Sequence, residues 1–111
     1  MNDCVFCKIV EGKQEAELLY KDDALIVFRD INPKAPTHLL IVPRKHIKSV
    51  NELEDWDKEL MGKIFLIAKE MAVKEGVSAE GYKLIINVGR GGGQIVEHLH
   101  LHLLGGKRFE E

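Results

Sequence analysis

The chain has 111 residues, 45% apolar and 31% charged, and its 16 Lys and Arg against 18 Asp and Glu give a formal net charge of −2. That size holds one domain over residues 1–111 with one modest core, and the near balance of charge argues against nucleic acid as a main partner. No apolar run nears the ~20 residues of a membrane span, Met1-Asn2-Asp3-Cys4 lacks the layout of a signal peptide, and two cysteines exclude a disulfide-built scaffold, so a reducing cytoplasm is expected.

In chain order, Asp3 is placed to cap a short helix through Val5, Phe6, Ile9 and Val10, stopped at Gly12. Glu17–Lys21 and Ala24–Arg29 read as a hairpin turning at Asp22-Asp23. The two prolines of Asn32-Pro33-Lys34-Ala35-Pro36 make that stretch a loop. A buried strand follows over Thr37–Val42, ended by Pro43. Leu53, Trp56, Leu60, Ile64, Ile67 or Ala68, and Met71 recur every three to four residues, which predicts a long helix stopping near Gly76. Asp55 and Asp57 near its start suit the helix dipole, and Gly62 within it marks a close packing contact. Lys83–Val88 reads as a strand, Gly89-Arg90-Gly91-Gly92-Gly93 as a glycine-rich turn, and Glu97–Leu104 as the last strand before Gly105-Gly106. Strand pairs on either side of one long helix give an α+β domain with a mainly antiparallel sheet.

Three of the five histidines stand at 98, 100 and 102, alternating with Leu99, Leu101 and Leu103. Residues two apart share a face of a strand, so the imidazoles line one side and the leucines fill the core. A single histidine there would be an ordinary polar residue. Three on one face are expensive to bury without a task, and rings of one strand do not by themselves surround a tetrahedral ion. The upstream glycines, ending at Gly93-Gln94, can open backbone N–H groups to an anion. A phosphate held beside a nucleophilic or acid–base imidazole is the chemistry that fits.

His98-Leu99-His100-Leu101-His102-Leu103-Leu104 resembles the signature of the histidine triad family. Asp30-Ile31-Asn32-Pro33, Ala35-Pro36-Thr37-His38, Ile41-Val42-Pro43-Arg44-Lys45-His46-Ile47, Gly92-Gly93-Gln94 and Leu104-Gly105-Gly106 are similar to the rest of its pattern, nearest to the Hint branch of purine nucleoside phosphoramidases. The resemblance implies a five-stranded, mainly antiparallel sheet with one short and one long helix, extended across a two-fold homodimer. It implies hydrolysis of adenosine phosphoramidates, or of aminoacyl and lysyl adenylates, to AMP through a nucleotidyl-histidine, with no organic cofactor. His100 would be the nucleophile, His102 would contact the phosphate and leaving group, and His38 and His98 would orient His100. Asn87 and the backbone at Gly93 and Gln94 would hold the phosphate, Asp30 the ribose hydroxyls, and Phe6, Ile9, Phe28 and Ile31 would wall the base. Ile95 departs from the pattern, standing where Hint members usually carry a serine.

Cys4-Val5-Phe6-Cys7 has three readings: a redox pair, two ordinary thiols, or half of a zinc site. A redox pair wants a βαβ setting this chain lacks. Bacterial triad proteins with such a pair bind zinc through two further histidines, which by resemblance are His46 and His98 here, in a closed structural site. Two other functions compete with the phosphoramidase: a dinucleoside polyphosphate hydrolase, and a nucleotide-binding regulatory module with little turnover, which Ile95 favours.

Overall fold

A computed structural model describes residues 4–110. In it the chain forms α1 (Val5–Val10), β1 (Leu18–Lys21), β2 (Leu25–Arg29), β3 (Thr37–Pro43), α2 (Lys58–Lys74), β4 (Tyr82–Ile85) and β5 (Leu101–Gly105). Short 3-10 turns lie at Val50–Glu52, Asp55–Asp57 and Arg90–Gly92. The five strands make one sheet in the order β1-β2-β3-β5-β4, every neighbouring pair antiparallel. This is the α+β, five-stranded architecture with one short and one long helix that the sequence predicts.

Strand alternation divides the core in two. Leu25, Val27, Leu39, Ile41, Leu99, Leu101 and Leu103 pack on one face against Ile64, Ile67, Ala68, Met71 and Ala72 of α2. Ile26, Phe28, Leu40 and Val42 point the other way and meet Phe6 of α1. Each fully buried Leu or Ile contributes about 1.5–3 kcal/mol, so the α2 face carries most of the stability. The α1 face is left for chemistry.

Several boundaries differ from the sequence reading. The Asp3 cap lies outside the described residues, and Cys4 holds the cap position, its sulfur accepting from the Cys7 N–H at 3.4 Å. Strand β3 runs through Pro43, which pairs with Leu25 at the ladder's end. The long helix starts at Lys58, leaving out Leu53 and Trp56, and Trp56 is 74% exposed. The buried carboxylate of Asp57 causes this, taking the Glu54 N–H at 3.0 Å and the Lys45 ammonium at 2.9 Å and so fixing a tight turn ahead of the helix. Strand β4 stops at Ile85 instead of Val88, and a Cβ on Gly62 would meet nothing within 4 Å beyond its own helix backbone among the described residues, so no close packing contact calls for the glycine.

Strand β5 begins at Leu101, not Glu97. The His98 N–H turns back to the Val96 carbonyl and the Leu99 N–H bonds Ile47, so this stretch is held off the ladder. At the other end, a Cβ on Gly105 would stand 2.8 Å from Val77 Cβ. Gly105→Ala is therefore expected to cost about 1–3 kcal/mol as overpacking. A thermal melt several degrees below wild type checks this; an unchanged melt would show that Val77 gives way freely.

Candidate active site

His38 lies opposite Leu104, and His102 opposite Leu40, on adjacent strands β3 and β5. They are thus diagonal neighbours on one face, and the His38 Nε2 to His102 Nδ1 distance is 2.9 Å. Donor and acceptor accounting fixes their protons. The Lys34 backbone N–H donates to His38 Nδ1 at 3.0 Å, so a neutral His38 carries its proton on Nε2 and donates it to His102 Nδ1. His102 then holds its own proton on Nε2. The Asp30 carboxylate lies 3.4 Å from His38 Nε2 and steadies the donor end of this chain.

His100 is fixed in the opposite sense. Its Nδ1 is 2.7 Å from the His98 carbonyl, which can only accept, so Nδ1 bears the hydrogen and Nε2 keeps its lone pair. Its ring packs edge-on against Phe6 and His102, with centroids 5.0 and 4.8 Å away. An imidazole lone pair and an imidazole N–H donor are thus carried on neighbouring rings.

Burial keeps these rings neutral. It lowers the pKa of His100 against the opposing pull of the His98 carbonyl bond and Asp30, and lowers His38 in the same way. His102 is pushed down to about 4 by burial and by the neighbouring imidazoles, with Asp30 opposing. Between pH 6.5, the ordinary value, and about 4, the unfolded chain therefore binds the His102 proton more readily than the folded one. Stability is expected to fall as pH drops through that window, His102 contributing a slope of at most about 1.4 kcal/mol per pH unit. Denaturant unfolding of wild type and His102→Asn across the window checks this; equal slopes would contradict it.

The histidines open on a cleft of about 490 Å³, within the range of small-ligand pockets. His38, His100 and His102 line it together with Asp30, Asn87 and Gly93. Phe6, Ile9, Phe28 and Ile31 form its apolar wall, Ile31 85% exposed at the rim. Ile95 also borders the cleft and is 92% exposed. Gly93 takes φ +86°, the left-handed region open to glycine, with Asn87 Nδ2 donating to the adjacent Gly92 carbonyl at 2.8 Å.

Two of the residues that the sequence assigned to catalysis or nucleotide binding are not on the cleft lining. Gln94 is buried as a brace, its Oε1 accepting from the Gly89 N–H and its Nε2 donating to the Lys48 and Val96 carbonyls. The His98 ring faces α1 instead, and reaches His100 only through its carbonyl. Sequence reasoning missed Lys34, whose backbone N–H sets the His38 tautomer, because no residue type announces a backbone donor.

Cys4, Cys7, His46 and His98 bring their ligand atoms within 4.8 Å of one another. His98 Nδ1 is 3.3 and 3.5 Å from the two sulfurs, and His46 Nδ1 is 3.2 Å from Cys7 Sγ. Ligands about 2.0–2.3 Å from a tetrahedral zinc stand roughly 3.3–3.8 Å apart, so these spacings fit. The tautomer fits too: His98 Nε2 donates to the Pro43 carbonyl at 2.8 Å, leaving Nδ1 unprotonated toward the thiols. This group could hold a metal ion.

Asp30, His38 and His102 also form a possible ligand group. The Lys34 N–H argues against it, because His38 Nε2 must keep its proton. A metal there would force a hydrogen onto Nδ1, against another donor. This group is a proton-ordered chain.

A hydrogen-bonded cluster of neutral imidazoles in a cleft on an antiparallel sheet defines a class, and comparison names it. The family model described as HIT domain matches residues 11–109, and the chain belongs to that family. It is 41% identical over 105 residues to the purine nucleoside phosphoramidase of Escherichia coli (strain K12), covering 95% of this chain and 88% of that one. Among solved structures, the HIT family hydrolase of Legionella pneumophila superposes with a TM-score of 0.94 at 51% identity, over 96% of this chain and 95% of that one. The HIT family hydrolase of Clostridium thermocellum gives a TM-score of 0.97 at 40% identity, over 100% and 96%.

Proposed function

We propose that this chain is a nucleotide hydrolase that cleaves the P–N bond of adenosine phosphoramidates, or the acyl phosphate of aminoacyl and lysyl adenylates, to release AMP. The observation that carries the reading is the His100 tautomer: Nδ1 committed to the His98 carbonyl and Nε2 left as a lone pair beside the cleft. In the first step Nε2 bonds to the α-phosphorus and the P–N bond breaks. Its electron pair goes to the departing nitrogen, which takes a proton from solvent. The His102 Nε2–H hydrogen-bonds the charge that develops on phosphate or leaving group. In the second step water attacks phosphorus and gives up a proton to solvent, the P–Nε2 bond returns its pair to His100, and AMP leaves.

Asp30 would take the ribose hydroxyls, Asn87 beside Gly93 the phosphate, and Phe6, Ile9, Phe28 and Ile31 the base; the backbone N–H groups of Gly93 and Gln94, which the sequence offered to the phosphate, donate instead to the Arg90 and Gly89 carbonyls at 3.0 Å. His38 acts by keeping His102 in the donor tautomer, and His98 by holding His100. The phosphoramidase name of the Escherichia coli relative supports the substrate class. AMP release from adenosine 5′-phosphoramidate, run beside a dinucleoside polyphosphate, tests it. Preference for the polyphosphate would assign the other hydrolase reading. AMP binding without turnover of either would assign a binding module, which the exposed apolar Ile95 at the cleft favours.

Zinc is the metal that suits the two cysteines and two histidines, and with four protein ligands it would cross-link α1 to the sheet without an open position for catalysis. A reducing cytoplasm keeps both cysteines available as ligands. No helix among the described residues is long and apolar enough to cross a membrane.

A homodimer fits the surface of α2, where Phe65, Leu66 and Val73 are exposed, the last two both 61%. Gly62 lies on the same stripe, one turn from Leu66. Edge strand β4 lies beside β5, with its outer edge open for the sheet to continue. Leu66→Glu is expected to convert a dimer to monomers in sedimentation; a wild type that already sediments as a monomer would end this part of the reading.

A further inference from the structure

Helix α1 serves two sites at once. Cys4 and Cys7 belong to the thiol–imidazole group, while Val5, Phe6 and Ile9 line the cleft. The Cys4 sulfur that faces His98 also caps the helix by accepting the Cys7 N–H. Phe6, between the two cysteines, packs edge-on with centroids 5.4 Å from Phe28, 5.9 Å from His98 and 5.0 Å from His100.

A helix of six residues cannot hold itself together. Isolated helices shorter than about 12–15 residues are marginal in water even with the best sequences. The placement of α1 depends on what pins it to the rest of the fold, and the pins are the apolar contacts of Phe6, Ile9 and Val10 and the two sulfurs. Anything that fixes the sulfurs fixes the base wall, and anything that fills the space against Phe6 and Ile9 holds the sulfurs in place.

We propose that metal occupancy at Cys4, Cys7, His46 and His98 and nucleotide-base occupancy of the cleft are thermodynamically coupled through α1. The inference rests on the nucleotide reading of the cleft given above, and adds a linkage between its two sites. Coupling of this kind is reciprocal: a base that binds more tightly to the metal-loaded chain must tighten metal binding by the same factor. Cys4, Cys7 and His46 become positioning residues for nucleotide binding, though none of them lines the cleft. A second route exists through the His98 carbonyl to His100, the ring that would meet phosphate, and it touches the base wall where that ring packs on Phe6.

Two ligands separate the routes, since AMP fills both ends of the cleft and ribose 5-phosphate lacks the base. The full-length protein is loaded with cobalt(II), whose thiolate absorption reports the site, and titrated to equilibrium with a competing chelator of known cobalt affinity. An equilibrium titration of the loaded protein first sets saturating concentrations of each ligand. Saturating AMP is expected to tighten cobalt binding about tenfold, inside the usual 5–150-fold range of such coupling, and ribose 5-phosphate less than about twofold. AMP that binds without tightening cobalt would overturn the coupling alone. Equal tightening by ribose 5-phosphate would overturn the α1 route in favour of the His98–His100 peptide. AMP that does not bind the loaded protein would remove the nucleotide reading, and the coupling with it.

Discussion

His100→Ala is expected to lower AMP release from adenosine 5′-phosphoramidate by about three orders of magnitude or more, the scale seen when a covalent nucleophile is removed. The reasoning is local. The His98 carbonyl takes the Nδ1 hydrogen of His100 and leaves Nε2 with a lone pair, and burial lowers its pKa so that the ring stays neutral near pH 7. No other group on the cleft repeats that state. His38 has its Nδ1 turned to the Lys34 N–H and its Nε2 to His102, and His102 accepts at Nδ1. Water attacking phosphorus directly would have to work without either ring as nucleophile. AMP affinity should change by less than about tenfold, because the wall and the Gly93 turn remain, and a kcat loss at near-constant binding is the signature of an interaction made only in the transition state. Equal turnover by wild type and variant would remove the nucleophile assignment. Retained turnover with loss of AMP affinity would make His100 a binding residue instead.

Removal of the metal should have the largest effect on stability. Wild type purified without chelator is expected to carry one zinc per chain, and Cys7→Ser none. A ligand present at about a thousand times its dissociation constant stabilises the folded state by roughly 4 kcal/mol, and a domain of about this size loses around 4–8 °C of melting temperature per kcal/mol. Chelation of wild type should therefore lower its melt by about 15 °C or more, and have little effect on Cys7→Ser. The cause is the position of Cys7, whose sulfur lies near both imidazoles at 3.2 and 3.5 Å while its main chain sits in α1. Metal analysis and melts in parallel decide the matter. Wild type free of zinc, with a melt indifferent to chelator, would reduce the four side chains to a hydrogen-bonded cluster.

How far each part was legible in the sequence follows from where its determinants sit. The stripe from Ile64 to Met71 was readable because one face of α2 meets the sheet and periodicity reports that face. The start of α2 was not, because it depends on Lys45 reaching Asp57 across 12 residues and on a backbone N–H at Glu54. The alternation of His with Leu over 98–103 gave the faces correctly, even where the ladder does not extend. The protonation pattern was beyond reach, since it is set by the Pro43 and His98 carbonyls and the Lys34 N–H, groups that every sequence carries and none advertises. Gln94 shows the reverse failure. Its backbone reads as open to a phosphate, but the N–H donates to the Gly89 carbonyl and the side chain ties three stretches of backbone together.

The strand order has a consequence for synthesis. His38 and His102 are separated by 64 positions, and β5, the last strand to be made, is inserted between β3 and β4 in the middle of the sheet. Contacts so distant along a chain form late, after the entropy of closing the intervening loop has been met. A ribosome-bound chain that has completed α2 and β4 still lacks two of the three cleft imidazoles and the leucines that cover the helix. Reactivity and the finished core thus arrive with one stretch of some eight residues, and an interrupted translation product is left with neither.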